Sequence, residues 1–181
     1  MNVVEALRLP GIEEALGRVE ESLAASTAGE DPFLAEVAVH LVQAGGKRLR
    51  PALVLAAASA CGAGPEVPEE VVSGAVAVEL VHNFSLLHDD LMDRDAERRH
   101  RPSAWTVFGE AQALLAGDAL IVLAYEVLLE SGSDHGVAAA RRLTGATAEL
   151  IRGQGADLAF ETRLDVSISE CLAMSSQKTA A

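Results

Sequence analysis

The chain has 181 residues, half of them apolar, and a formal net charge of −13. That acidity argues against the basic surface that a nucleic acid or an anionic membrane requires of its partner. Four Phe, one Trp and one Tyr among abundant Ala, Leu and Val favour closely packed helices over sheets, and the length suits a single domain spanning residues 1–181.

In chain order, Met1 to Pro10 lack a basic segment leading into an apolar core, so they do not read as a secretory signal. An amphipathic helix is expected over Ile12 to Ala25. Asp31-Pro32 then looks like an N-cap followed by proline at the first helical position, opening a helix that Gly45-Gly46 stops after Ala44. Arg50-Pro51 starts an alanine-rich helix that fails at Cys61-Gly62-Ala63-Gly64-Pro65. Pro68 opens a long helix through Val71, Val72, Ala75, Val76 and Val78 to about Asp93. A polar loop covers Arg94 to Pro102. Helical stretches follow near Ser103–Phe108, Ala111–Glu130, His135–Phe160 and from Ser167 onward. No repeat, low-complexity segment or dividing linker interrupts the chain, and strand-like alternation is absent, so an all-α fold is expected. No apolar run reaches bilayer-spanning length, and a cytoplasmic, soluble protein is expected. Cys61 and Cys171 are too few and too distant for a disulfide framework and read as buried, reduced thiols. The final helix stops without Gly, Asn or Pro to end it, which suggests a chain shorter than its domain.

Three groups of residues carry chemistry. The first ends the long helix. Asp89 lies seven positions from His82 and Asp93 eleven, so at about 100° per residue the three share a stripe about 40° wide. Asp90 sits to one side. Clustered carboxylates repel one another and oppose the helix dipole, and a hard divalent ion such as Mg²⁺, with phosphate oxygens completing its shell, relieves that repulsion. Arg98 and Arg99 follow closely and suit the same phosphates as bidentate partners. The second group is Gly45-Gly46-Lys47-Arg48-Leu49-Arg50-Pro51. It offers close backbone approach and three cations in four residues, without the spacing of a Walker loop. The third is Gln154 and Asp157 on one helix, with Lys178-Thr179 on the next.

Taken together, these motifs resemble the trans-prenyltransferases, the polyprenyl diphosphate synthases. Gly-Gly-Lys-Arg-Leu-Arg-Pro at 45–51 is similar to that family's isopentenyl-diphosphate-binding motif. His88-Asp89-Asp90-Leu91-Met92-Asp93 with Arg98-Arg99 is similar to its first aspartate-rich motif. Gly117-Asp118, Gly153-Gln154-Gly155-Ala156-Asp157 and Lys178-Thr179 fall in the expected order.

The resemblance implies an isoprenoid-synthase-type helical bundle, incomplete at its C-terminal side, that condenses isopentenyl diphosphate with an allylic diphosphate. Lys47, Arg50, His82 and Arg99 would hold isopentenyl diphosphate. Asp89 and Asp93, with Asp90 in support, would bind Mg²⁺ on the allylic diphosphate, which Arg98 and Lys178 would also contact. Thr179 and Gln154 would lie near the developing allylic cation. Phe84, five residues before Asp89, implies a C20 geranylgeranyl product first and C15 farnesyl next. His100 departs from the family pattern, which has Gly after the arginine pair. The family's second aspartate-rich motif has no counterpart before Ala181, which implies a truncated chain, or a homodimer or heteromer whose partner supplies that motif. Two other readings remain open: a non-catalytic subunit of a heteromeric synthase, and a terpene cyclase on the same fold. Lys47, Arg50 and Arg99 weigh against the cyclase, because it has no second diphosphate to hold.

Overall fold

The computed structural model describes residues 11–28, 32–43 and 46–179. Within them the elements are α1 (Ile12–Thr27), α2 (Pro32–Gln43), α3 (Leu49–Ala60), α4 (Glu69–Met92), β1 (Glu97–Arg98), β2 (Arg101–Pro102), α5 (Ala104–Phe108), α6 (Glu110–Leu129), α7 (Asp134–Phe160) and α8 (Ile168–Thr179). The expected all-α architecture holds, with helix ends within about two residues of the predicted ones. The expected cap at Asp31, the stop at Ala44-Gly45 and the reading of the first ten residues lie outside the described residues.

The chain forms two compact units, Met1–Val137 and Ala138–Ala181. In the first, α4 is the central helix. It packs most extensively against α6, then against α3 and α1. Its buried positions include Val72, Ala75, Val76, Ala77, Leu80, Val81, Phe84 and Leu87, which lie on more than one face, as expected for a helix covered all round. Val19 and Leu23 of α1, Val37 of α2, Leu55 of α3 and Leu120 of α6 complete this core. The second unit holds the rest of α7 together with α8. There Gly153 lets the helices meet closely, since a Cβ at that position would lie 2.8 Å from the Gln177 carbonyl carbon.

Three expectations are corrected. The loop after α4 contains an antiparallel hairpin that pairs Glu97 with Pro102 and Arg98 with Arg101. Two residues per strand are too few to show a period of two in sequence. Cys61 and Cys171 are free thiols as expected, but both are exposed: Cys61 caps the end of α3, and α8 has no buried residue at all. Lastly, α4 and α6 are long and apolar enough to cross a membrane by length and composition, with mean hydropathy 1.3 and 1.7. Glu79, His82 and Asp118 break any uninterrupted apolar run, although the averages remain high. The central helix of a helical core meets the same criterion, and over half of the α4 window is buried.

Candidate active site

The basic loop enters α3 through Arg48, whose backbone is left-handed at φ 44° and ψ 39°. Residues other than glycine rarely hold that conformation. Here the side chain is anchored. Arg48 Nη1 donates to Glu79 Oε1 of α4 at 2.8 Å, and Nε and Nη2 donate to the Glu20 carboxylate of α1. Burial alone would lower the Arg48 pKa, but the hydrogen bonds it donates to Glu20 and Glu79, with their negative charge, outweigh it and raise the value. The central cation of this triplet therefore pins the loop to two helices. Its neighbours differ: Lys47 is exposed and Arg50 half-buried.

At the end of α4 the three acids take different positions. Asp90 is buried at 2% exposure and accepts from Arg98 Nε at 2.6 Å. That hydrogen bond, working against burial, raises the Arg98 pKa. Asp89 is partly exposed, with Oδ2 3.7 Å from Arg98 Nη2. Asp93 is exposed and caps the helix. Asp93 is thus turned toward solvent and Asp89, one turn back, only in part, since its Oδ1 is buried. Their carboxylates are hard oxygen donors of the type Mg²⁺ selects. Among the described residues no group of three or more His, Cys, Asp or Glu side chains is gathered for a metal ion. A cation held by Asp89 and Asp93 would complete its shell with water or ligand oxygens, which is how Mg²⁺ commonly sits.

The hairpin turns on Arg99 and His100 at φ 53° and 62°. Both central residues are left-handed, as in the type I′ turn that matches the twist of two short strands. His100, which departs from the family's glycine, therefore occupies the left-handed geometry that a glycine would adopt without strain. The turn brings Arg99 back to the basic loop: a Cβ on Gly46 would lie 3.1 Å from Arg99 Nη1. Between loop, α4 and hairpin opens a small cleft of about 30 Å³, lined by Arg48, Glu79, His82, Asp90, Arg98 and Arg99 among others.

His82 reports the field in that cleft. Burial, reinforced by Arg50, Arg99, Arg98 and Arg48, pushes its imidazole down to about 4. The ring is therefore neutral at pH 7, and it faces positive charge from both basic motifs. An anion entering here would gain Coulomb energy from several guanidinium groups at once.

The remaining predicted residues lie in the second unit. Lys178 Nζ contacts Asp157 Oδ2 at 2.6 Å. Gln154 is buried, and its Nε2 has no hydrogen-bond partner. Thr179 is exposed at the end of α8.

One feature of the first unit escapes a motif reading: Glu79, buried at 5% exposure; a lone acid inside the apolar run of α4 was its available signal. Gly117 of α6, part of a motif in the sequence, receives His88. A methyl group there would overlap the imidazole, which bonds the Leu114 carbonyl at 3.0 Å and meets the Phe84 ring edge-on at 4.7 Å. Gly117 thus sets how closely α6 approaches the helix that carries the acids.

A family model described as "Polyprenyl synthetase" matches residues 31–181. Over 136 residues the chain is 61% identical to a (2E,6E)-farnesyl diphosphate synthase of Mycobacterium tuberculosis, covering 75% of this chain and 37% of that protein. A crystal structure of a polyprenyl synthetase from Streptomyces coelicolor A3(2) superposes with TM-score 0.87 at 47% identity, covering 97% of this chain and 53% of that one. A polyprenyl synthase from Caulobacter crescentus CB15, complexed with calcium and isoprenyl diphosphate, gives TM-score 0.85 at 32% identity over 93% and 49%. The chain spans between about a third and about half of the length of these relatives.

Proposed function

The chain belongs to the polyprenyl synthetase family, and from that premise we propose that it contributes the isopentenyl-diphosphate site and the first metal-binding side of a prenyltransferase with a C15–C20 product. The observation that carries this reading is the cleft around His82, where Arg50, Arg98 and Arg99 converge from separate parts of the sequence.

Lys47, Arg50, His82 and Arg99 hold the diphosphate of isopentenyl diphosphate. His82, neutral at pH 7, offers a ring N–H to a phosphate oxygen. Asp89 and Asp93 hold Mg²⁺, which when bound neutralises charge on the allylic diphosphate as it departs. Asp90 supports them through Arg98, which it keeps beside Asp89. Arg98 binds the allylic diphosphate from the protein side. The Ala, Leu and Val lining of the helices excludes water from a carbocation. The Caulobacter relative, with its divalent cation and isoprenyl diphosphate, supports the ligand class, and the Mycobacterium relative's name supports the lower end of the product range. Residues 1–181 are part of one synthase domain, acting in the cytoplasm.

The test is binding and turnover on the 181-residue chain. With Mg²⁺, an allylic diphosphate should bind, and Asp89→Asn with Asp93→Asn should weaken it at least tenfold. Product formation from isopentenyl and dimethylallyl diphosphates should fall in the same double variant. Equal binding by wild type and the double variant would overturn the metal assignment.

A further inference from the structure

Two residues of the cleft have no part in the roles above. Arg101 and Ser103 both line it, on the strand that leaves the hairpin and the residue that follows. The register sets Arg101 directly opposite Arg98, so the two side chains share one face of the hairpin, where like charges repel. Arg98 is neutralised by Asp90 and Asp89. Arg101 is half-buried and forms no ion pair among the described residues. Ser103 stands at the N-cap of α5, yet its hydroxyl makes no capping bond. Its Oγ is buried without a hydrogen-bond partner, in a side chain only 2% exposed.

Both residues are held in place by other contacts. The Ser103 N–H donates to Ala96 O at 2.9 Å, closing the base of the hairpin. His40 Nε2 meets the Pro102 carbonyl at 2.9 Å, between the two positions. A buried hydroxyl with unused capacity, beside an arginine whose charge is unmet, on a wall shared with His82 and Arg99, is a donor pair awaiting an anion.

We propose that Arg101 and Ser103 are further binding residues for the diphosphate that this cleft takes, with Arg101 gripping phosphate oxygens through its guanidinium and Ser103 Oγ–H donating one more bond. The proposal deepens the isopentenyl-diphosphate reading of the cleft and rests on it.

The experiment titrates the whole 181-residue chain with inorganic pyrophosphate and with isopentenyl diphosphate in EDTA, which silences the metal-dependent site, and follows heat of binding. Arg101→Gln should weaken both ligands about tenfold, in line with the loss of a charge-assisted bond, and Ser103→Ala should weaken them about threefold. Arg101→Lys should recover part of the loss, and the affinity for an allylic diphosphate with Mg²⁺ should stay within about twofold. Thermal unfolding of each variant checks that the hairpin remains folded. If Arg99→Gln abolishes binding while Arg101→Gln leaves it within twofold, this proposal fails and the cleft reading survives. If the wild-type chain takes neither ligand in EDTA, both fail.

Discussion

The basic loop and the arginine hairpin each tie one arginine to a buried carboxylate, but over different distances. Arg48 reaches Glu20 and Glu79, which are 28 and 31 residues away on two helices. Arg98 reaches Asp90, only eight residues back on the helix that precedes it. The loop is therefore held in shape by the assembled core, whereas the hairpin is held largely by its own neighbourhood. In both segments an inward arginine fixes the backbone so that neighbouring cations, Arg50 and Arg99, reach the field around His82. The difference indicates that damage to the loop anchor should register as lost stability, and damage to the hairpin anchor chiefly as lost site geometry.

The largest expected effect is Arg48→Ala. It leaves Glu79 buried and unpaired, and should cost about 3–5 kcal/mol in urea unfolding; a loss below about 1 kcal/mol would mean that the loop does not depend on the core. Acidification comes next. The His82 pKa is depressed from 6.5 to about 4 in the folded chain, so between those values the unfolded chain binds the extra proton. Stability is full above pH 6.5 and falls as pH drops toward 4, by at most about 3 kcal/mol. His82→Gln should flatten that slope, and an unchanged slope would remove His82 as its source. Arg98→Ala should cost about 2 kcal/mol, because Asp90 loses a charge-assisted bond near a helix end that can open locally. Its effect on diphosphate affinity should be proportionally greater than that of Arg48→Ala. The smallest change runs the other way: His100→Gly should raise unfolding free energy by about 1 kcal/mol, by relieving the left-handed turn residue. Calorimetry would show whether that gain appears.

Much of this site was legible because its residues lie close together in the chain. The spacing of His82, Asp89 and Asp93 on one helix, and the punctuation by Pro51 and Pro68, follow from local backbone preference. The separate fates of Asp89, Asp90 and Asp93 were not legible. Helical periodicity placed Asp90 to one side, but its burial depends on Arg98 folding back through a hairpin too short to announce itself. The direction of Arg48 was equally hidden. Nothing near residue 48 shows that a glutamate of α1 and another of α4 will converge on it. Arg101 and Ser103 likewise carried no motif, and only the hairpin register set them in the cleft.

The amino-acid order by itself determined the helices, the acidic end of α4, the two basic segments and the family they resemble, because each rests on interactions spanning a few residues. Which arginine turns inward, which carboxylate is buried and where a neutral histidine meets four guanidinium groups was decided only by the tertiary structure. Those outcomes depend on burial and on charges brought together across tens of residues, and such energies exist only once the helices have packed.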